Sequence, residues 1–354
     1  MSPTSYQTAP PRGVGRELYR TAAPARRGRG ARAPPRRKIA AVRVGVVDIG
    51  TNSTRLLIAD VDGEAIDELD RRSQVTRLGD GVDAQGRLGD AAIGRVLETL
   101  DAYRAALDAA GVPAGARVAV LTSAVRDAAN GAQFTATVRE RYGLDARTID
   151  GEQEARLTFR GATHGRSRAD TTPLLVADVG GGSTELVVGS AAEAPDVGFH
   201  VSLQAGVVRQ TERHVAHDPP RPDELQRLAD EVRALIAAAT PPEVRASVAQ
   251  AIAVAGTATS LAAIDQELDP YDPARVHGYA LPLGECELLL ARLAQLPLAQ
   301  RRAVAGLHPD RAPTIVAGVV ILIEVLRAFG LDRLEVSEHD ILHGAALERA
   351  AAAA

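Results

Sequence analysis

Apolar positions between Val42 and Val61 fall into two runs of β-branched and aliphatic residues on either side of Gly50, and no helix-length pattern follows. This predicts a strand, a glycine turn and a second strand. From Ala91 to Ala110 the period changes: Ile93, Val96, Leu100, Tyr103 and Leu107 recur every three or four positions, as one face of a helix does. A strand over Arg117–Leu121, a helix carrying Phe134 and Val138, a short strand over Ala146–Ile149 and a helix from Glu152 to about Arg160 complete a first half of α/β character.

After the hydrophilic stretch Gly165–Thr172, the opening pattern returns. Val46-Val47-Asp48-Ile49-Gly50-Thr51-Asn52-Ser53-Thr54-Arg55-Leu56 aligns with Val176-Ala177-Asp178-Val179-Gly180-Gly181-Gly182-Ser183-Thr184-Glu185-Leu186, so that Asp, Gly, Ser, Thr and Leu coincide. A repeat this far apart indicates a duplicated domain rather than a solenoid. The second half continues with a helix near Asp223–Ala238, a strand over Ala251–Ala255, helices near Gly284–Ala294 and Pro313–Phe329, and a strand over Arg333–Ser337. The expected organisation is a first domain over residues 42–167 and a second over 168–354, with a boundary near 162–172 and the last helix free to pack back on the first domain. Residues 1–41 are rich in Pro, Ala, Gly and Arg and are expected to be a disordered basic extension. They lack the long apolar stretch of a secretory signal.

Composition narrows the possibilities. A chain of 354 residues, 45% of them hydrophobic, can bury two cores. With 24% charged residues and a formal net charge of −4, it is not the generally basic surface of a nucleic-acid binder, and no specific nucleic-acid partner is expected. Cys286 stands alone, which excludes an intrachain disulfide and suits a reducing cytoplasm. No apolar run approaches the roughly 20 residues of a membrane span. Lys38 is the single lysine and no Gly-rich turn precedes it, so P-loop and protein-kinase chemistry are both excluded. Phosphate would have to be held by backbone amides, hydroxyls, arginine and metal.

The twin loops offer those groups. Glycine lets successive amides converge on an anion, and Ser or Thr adds a hydroxyl. An aspartate at the strand end can hold a divalent cation against phosphate oxygens. Two copies in one register would form a cleft with donors on both walls. The symmetry breaks where Arg55 corresponds to Glu185, a carboxylate that could complete a metal site with Asp178. A third element, Val254-Ala255-Gly256-Thr257-Ala258-Thr259-Ser260, is a strand entering a helix through a small-residue turn, which suits an anion at a helix N-terminus.

The paired loops resemble those of the actin, Hsp70 and sugar-kinase superfamily. Together with Thr122-Ser123-Ala124-Val125-Arg126-Asp127-Ala128-Ala129-Asn130, Gly151-Glu152-Gln153-Glu154-Ala155-Arg156-Leu157, Gly206, Gly256-Thr257 and Arg311 before Ile315-Val316-Ala317-Gly318, they are similar to the exopolyphosphatase and guanosine pentaphosphate phosphohydrolase family (Ppx/GppA) over residues 42–345. The resemblance implies an α/β fold of two ribonuclease H-like (actin-like ATPase) domains with a cleft between them. It implies Glu154 as the water-activating base, with Glu152 as a near neighbour, and Arg126 as a two-pronged grip on phosphate. Asp48, Asp178 and Glu185 would hold Mg²⁺, or Mn²⁺ in its place. Gly50, Thr51, Asn52, Ser53, Gly180, Gly181, Gly182, Ser183, Thr184, Gly256 and Thr257 would cradle the phosphates.

The expected activity is release of terminal phosphate from polyphosphate. Hydrolysis of guanosine pentaphosphate, or a binding protein of low turnover, stands as the alternative, and Gln153 leaves room for the latter. A sugar kinase would need an acceptor-hydroxyl base and an adenosine pocket that the sequence does not display. No long extension with further helical domains follows His343-Gly344, which puts processivity on long chains in question. A homodimer is the expected assembly. His339 and His343, four apart, and His214 and His217, three apart, have zinc-like spacing, but neither pair has a companion carboxylate in a known zinc pattern, and both are read as structural or surface residues. Gly-x-Ser-x-Gly is absent.

Overall fold

Val42–Ile49 (β1) and Ser53–Asp62 (β2) form the hairpin expected around Gly50, and Ala65–Val75 (β3) adds a third antiparallel strand. The computed structural model describes residues 41–167, 169–191 and 196–353; the basic extension expected over 1–41 lies, but for its last residue, outside them. β3 escapes the sequence pattern because it is an edge strand with no fully buried residue, so its apolar signal is diluted by charge. Short helix Val82–Gln85 (α1) and long helix Asp90–Ala109 (α2) lead to Arg117–Leu121 (β4). Then come Ser123–Asp127 (α3), Gly131–Tyr142 (α4), Asp145–Thr148 (β5) and Gly151–Ala162 (α5). The first sheet has the order β3-β2-β1-β4-β5, with β4 and β5 parallel to β1.

The second half repeats this plan. Leu174–Val179 (β6), Thr184–Ser190 (β7) and Asp196–Leu203 (β8) form the antiparallel meander. Val207–His214 (α6), Pro222–Ala239 (α7) and Pro242–Ser247 (α8) lead to Gln250–Val254 (β9). Ala255–Asp265 (α9), Pro273–Val276 (α10), Tyr279–Pro282 (β10), Leu283–Gln295 (α11), Leu298–Arg301 (α12) and Ile315–Ala328 (α13) precede Arg333–Val336 (β11) and Ile341–Ala353 (α14). The order β10-β11-β9-β6-β7-β8 places the five core strands as in the first sheet and adds β10 at the edge. Both halves therefore have the ribonuclease H-like arrangement. α13 is buried all round from Ile315 to Leu326, as expected of a helix apolar on every face. Among the described residues no helix is long and apolar enough to cross a membrane.

Two helices cross between the halves. α14 places Ile341, Leu342, Ala345, Ala346, Leu347 and Ala350 in the core of the first sheet. α5 places Ala155, Phe159 and Ala162 against Val176, Val187 and Ile252 of the second. They meet at two glycines: a Cβ on Gly161 would lie 1.8 Å from the Asp340 carbonyl oxygen, and one on Gly344 would lie 1.9 Å from that of Leu157. Only glycine lets the backbones approach so closely, and the crossing fixes the turn that carries Asp340.

Candidate active site

The repeat seen in sequence is a repeat in geometry. Gly50 N–H donates to the Ser53 carbonyl at 3.0 Å, and Gly180 N–H donates to the Ser183 carbonyl at 3.0 Å. Asp48 stands opposite Arg55 in the first hairpin, and Asp178 opposite Glu185 in the second. The two turns face each other closely: a Cβ on Gly181 would lie 2.8 Å from Thr51 Cβ and 2.9 Å from Asn52 N. The Thr51 and Ser123 hydroxyls are bonded at 2.9 Å. Between them lies a cleft of about 90 Å³, several times the roughly 10–15 Å³ that one water needs.

Charge is distributed unequally between the walls. On the first, both Nε and Nη2 of Arg55 donate to Asp48 Oδ2, at 2.8 and 2.6 Å, and Nη1 reaches Asp340 at the N-terminus of α14. Burial opposes the charge of Arg55, but Asp340, Asp48 and Asp178 outweigh it and hold the guanidinium protonated. On the second wall, buried Asp178 and Glu185 meet Glu154, which approaches from the first turn of α5. Among the described residues the one ion pair these three make is Glu154 Oε2 with Arg126 Nη1, at 3.1 Å. Glu154 and Asp178 are pushed well above the usual carboxylate range by burial and by the charge of Glu185. Glu185 is raised by burial, against hydrogen bonds from Ser183 and Ser202, the latter at 2.9 Å.

Such a cluster fits a divalent cation. Three buried carboxylates repel one another, and a hard cation with oxygen ligands would relieve the repulsion. Asp178 and Glu185 are the residues that would hold it, with Glu154 beside them. Asp48 stands on the first wall beside Arg55, and burial outweighs that partner and raises its carboxyl.

Most of the expected cradle lines the cleft: Gly50, Thr51, Asn52 and Ser53 on one side, Gly180, Gly181 and Ser183 on the other, and Gly256 with Thr257 at the third turn. Three of the expected residues stand differently. Thr184 is fully buried and its hydroxyl donates to the Ala205 carbonyl at 2.7 Å, so it anchors the loop. Gly182 stands against the Thr51 and Ser123 hydroxyls; its carbonyl accepts from Arg209 Nε at 2.8 Å, and it lines a smaller depression with Thr51, Asp83 and Arg209. Arg126 also stays out of the lining, its Nη1 shared between Glu154 and the Ile149 carbonyl at 3.2 Å.

The sequence left Glu152 and Glu154 unresolved. Asp150 caps α5 by accepting from Gln153 N–H at 2.8 Å, and the resulting first turn directs Glu154 into the cleft while Glu152 is exposed and pairs with Arg156. Arg311 lines the cleft against Gly256, and Thr122, Ser123 and Thr314 join it. Arg311 stood in the sequence only as one of the matching residues, and nothing near Asp340 in sequence signals its tie to Arg55. Ala255 holds φ at +64°, a left-handed backbone strained for a residue with a Cβ, at the turn where β9 enters α9 beside the cleft.

Of the histidines, His214 bonds Glu231 at 2.6 Å and His217 bonds Glu224 at 2.7 Å. His343 bonds Glu68 of β3 at 2.8 Å, so the companion carboxylate missing from the sequence is present in space. Cys286 is buried, and its thiol is pushed up to about 12 by burial and by Asp265.

Comparison with known proteins agrees with this architecture. The model of the Ppx/GppA phosphatase family matches residues 57–351. Exopolyphosphatase 2 of Mycobacterium tuberculosis is 37% identical over 330 residues, covering 88% of this chain and all of that protein. The crystal structure of the Aquifex aeolicus Ppx/GppA family member superposes with a TM-score of 0.73 at 30% identity, covering 88% of this chain and 98% of that one. An exopolyphosphatase structure from Cytophaga hutchinsonii gives 0.76 at 27% identity, over 85% and 96% of the two chains. The chain belongs to the Ppx/GppA phosphatase family.

Proposed function

We propose that this protein is an exopolyphosphatase. Glu154 accepts a proton from a water that attacks the terminal phosphorus of polyphosphate; the bridging P–O bond breaks, inorganic phosphate leaves and the chain is shorter by one unit. The observation that carries this reading is Glu154 itself, a buried carboxylate on the cleft wall, raised toward neutrality and facing the twin loops. A base whose pKa lies near the working pH transfers protons efficiently. The cleft-lining amides and hydroxyls of the two turns hold the terminal phosphate, and Arg311 adds a cation beside the third turn. Arg126 positions the Glu154 carboxylate. Mg²⁺, or Mn²⁺ in its place, held by Asp178 and Glu185, would neutralise phosphate charge and polarise the terminal group.

Similarity to Mycobacterium tuberculosis exopolyphosphatase 2 supports polyphosphate over guanosine pentaphosphate as the substrate. The decisive experiment measures phosphate release from short polyphosphate, long polyphosphate and guanosine pentaphosphate under one set of Mg²⁺ conditions. Faster release from polyphosphate is expected; faster release from the nucleotide would overturn the assignment. A cytoplasmic homodimer completes the proposal, its assembly checked by light scattering.

A further inference from the structure

Strand β3 brings Glu68 beside two histidines that follow it by more than two hundred residues. His339 lies in the turn after β11, and His343 in the first turn of α14. Potential ligand atoms of Glu68, His339 and His343 all fall within 4.8 Å of one another. The His277 ring stands 4.3 Å from that of His339, and the His164 ring 5.5 Å, so half of the chain's 8 histidines gather at one place.

Hydrogen bonding does not account for the whole group. His339 Nδ1 and His164 Nδ1 are buried without a hydrogen-bond partner. A buried nitrogen left so costs about 1–3 kcal/mol, and such an atom calls for an explanation. A metal takes neutral imidazoles and an ionised carboxylate, the donor types gathered here. The Glu68 side chain is 33% exposed, so water can reach the remaining position.

We propose that Glu68, His339 and His343 form a second metal site, for a Zn²⁺-class cation, apart from the cleft. Two imidazoles and one carboxylate with an open position suit Zn²⁺, whereas the all-carboxylate cluster at the cleft suits Mg²⁺. Binding needs modest closure, since Zn²⁺ ligands lie at about 2.0–2.2 Å from the ion. It also moves the His343 proton from Nε2, where it is donated to Glu68, to Nδ1, and breaks the 3.3 Å bond that Nδ1 accepts from Asp340 N–H. The ion would clip β3 to the turn that carries Asp340, reinforcing the Arg71 bond to Glu338 at 2.7 Å.

The test uses the full chain without an affinity tag, stripped by chelator and held in excess Mg²⁺ to occupy the cleft. Titrated Co²⁺ should bind with the visible absorption of a four-coordinate site, and Zn²⁺ should displace it. His339→Ala and Glu68→Gln should each weaken Co²⁺ binding by about tenfold or more, with circular dichroism unchanged. They avoid the fully buried His343, whose removal could prevent folding. Asp178→Asn should leave the Co²⁺ signal intact. Absence of the absorption, unchanged affinity in both variants, or loss of the signal in Asp178→Asn or His214→Ala would overturn the proposal. The readout is metal binding, so it is independent of which phosphate compound the cleft hydrolyses.

Discussion

Arg126 Nη1 lies 3.1 Å from Glu154 Oε2, so the cleft's candidate base is held by a guanidinium while two further carboxylates press on it from the second hairpin. Position and protonation of Glu154 are thus set by opposing neighbours.

Replacing Glu154 with Gln removes the proton acceptor but keeps the shape of the wall. Turnover should fall by about 10²–10⁴-fold or more, while polyphosphate binding, measured by calorimetry, stays within a few-fold. Full activity in this variant would assign the base elsewhere.

The pH profile follows from the directions of the shifts. Glu154 is raised by burial and by Glu185, and works only when ionised, so activity should fall on the acid side at a pH above the ordinary carboxylate value of about 4.3. Arg126 opposes that rise. In Arg126→Ala the acid limb of kcat against pH should therefore move to higher pH, a shift that loss of substrate grip alone would not produce.

Stability should carry the opposite imprint from the cluster. Groups whose folded pKa is raised contribute stability that is present at low pH and lost as pH rises through the folded value. Glu154, Asp178 and Glu185 are all raised. The metal-free protein should thus lose stability relative to Asp178→Asn as pH rises from mildly acidic to alkaline. Added Mg²⁺ should raise the melting temperature of the unaltered chain most at the alkaline end. Equal gains at every pH, read by calorimetry, would argue against the carboxylates as the metal site.

Arg55 pairs with both Asp48 and Asp340, and all three are largely buried. Arg55→Met should destabilise the fold by about 3–5 kcal/mol, as expected when one partner of a buried pair is removed. Adding Asp340→Asn should recover part of that loss in urea unfolding, a coupling that distant sites would not show.

Gly161→Ala should cost about 1–3 kcal/mol or more by overpacking, because its Cβ would meet the Asp340 carbonyl. Chemical denaturation measures it. Activity at saturating substrate should fall too, since Asp340 anchors the Arg55 and Asp48 side of the cleft.

Sequence alone determined the parts of this protein that depend on local pattern. Strand pairs around Gly50 and Gly180, the helix over Asp90–Ala109 and the repeated Asp-x-Gly turns were legible because period and glycine placement act within a few residues. Edge strand β3 was not, since charged residues interrupt its apolar pattern, whereas edge strand β8 does alternate, with Val197, Phe199, Val201 and Leu203 at every second position. Tertiary structure decided which groups share charge. That Arg55 in one repeat answers to Glu185 in the other was legible in the sequence; strand pairing set them opposite Asp48 and Asp178. Asp340 reaches Arg55 across 285 positions and Glu68 reaches His343 across 275, both because α14 returns to the first sheet. Electrostatics depends on distance in space, and chain folding sets that distance.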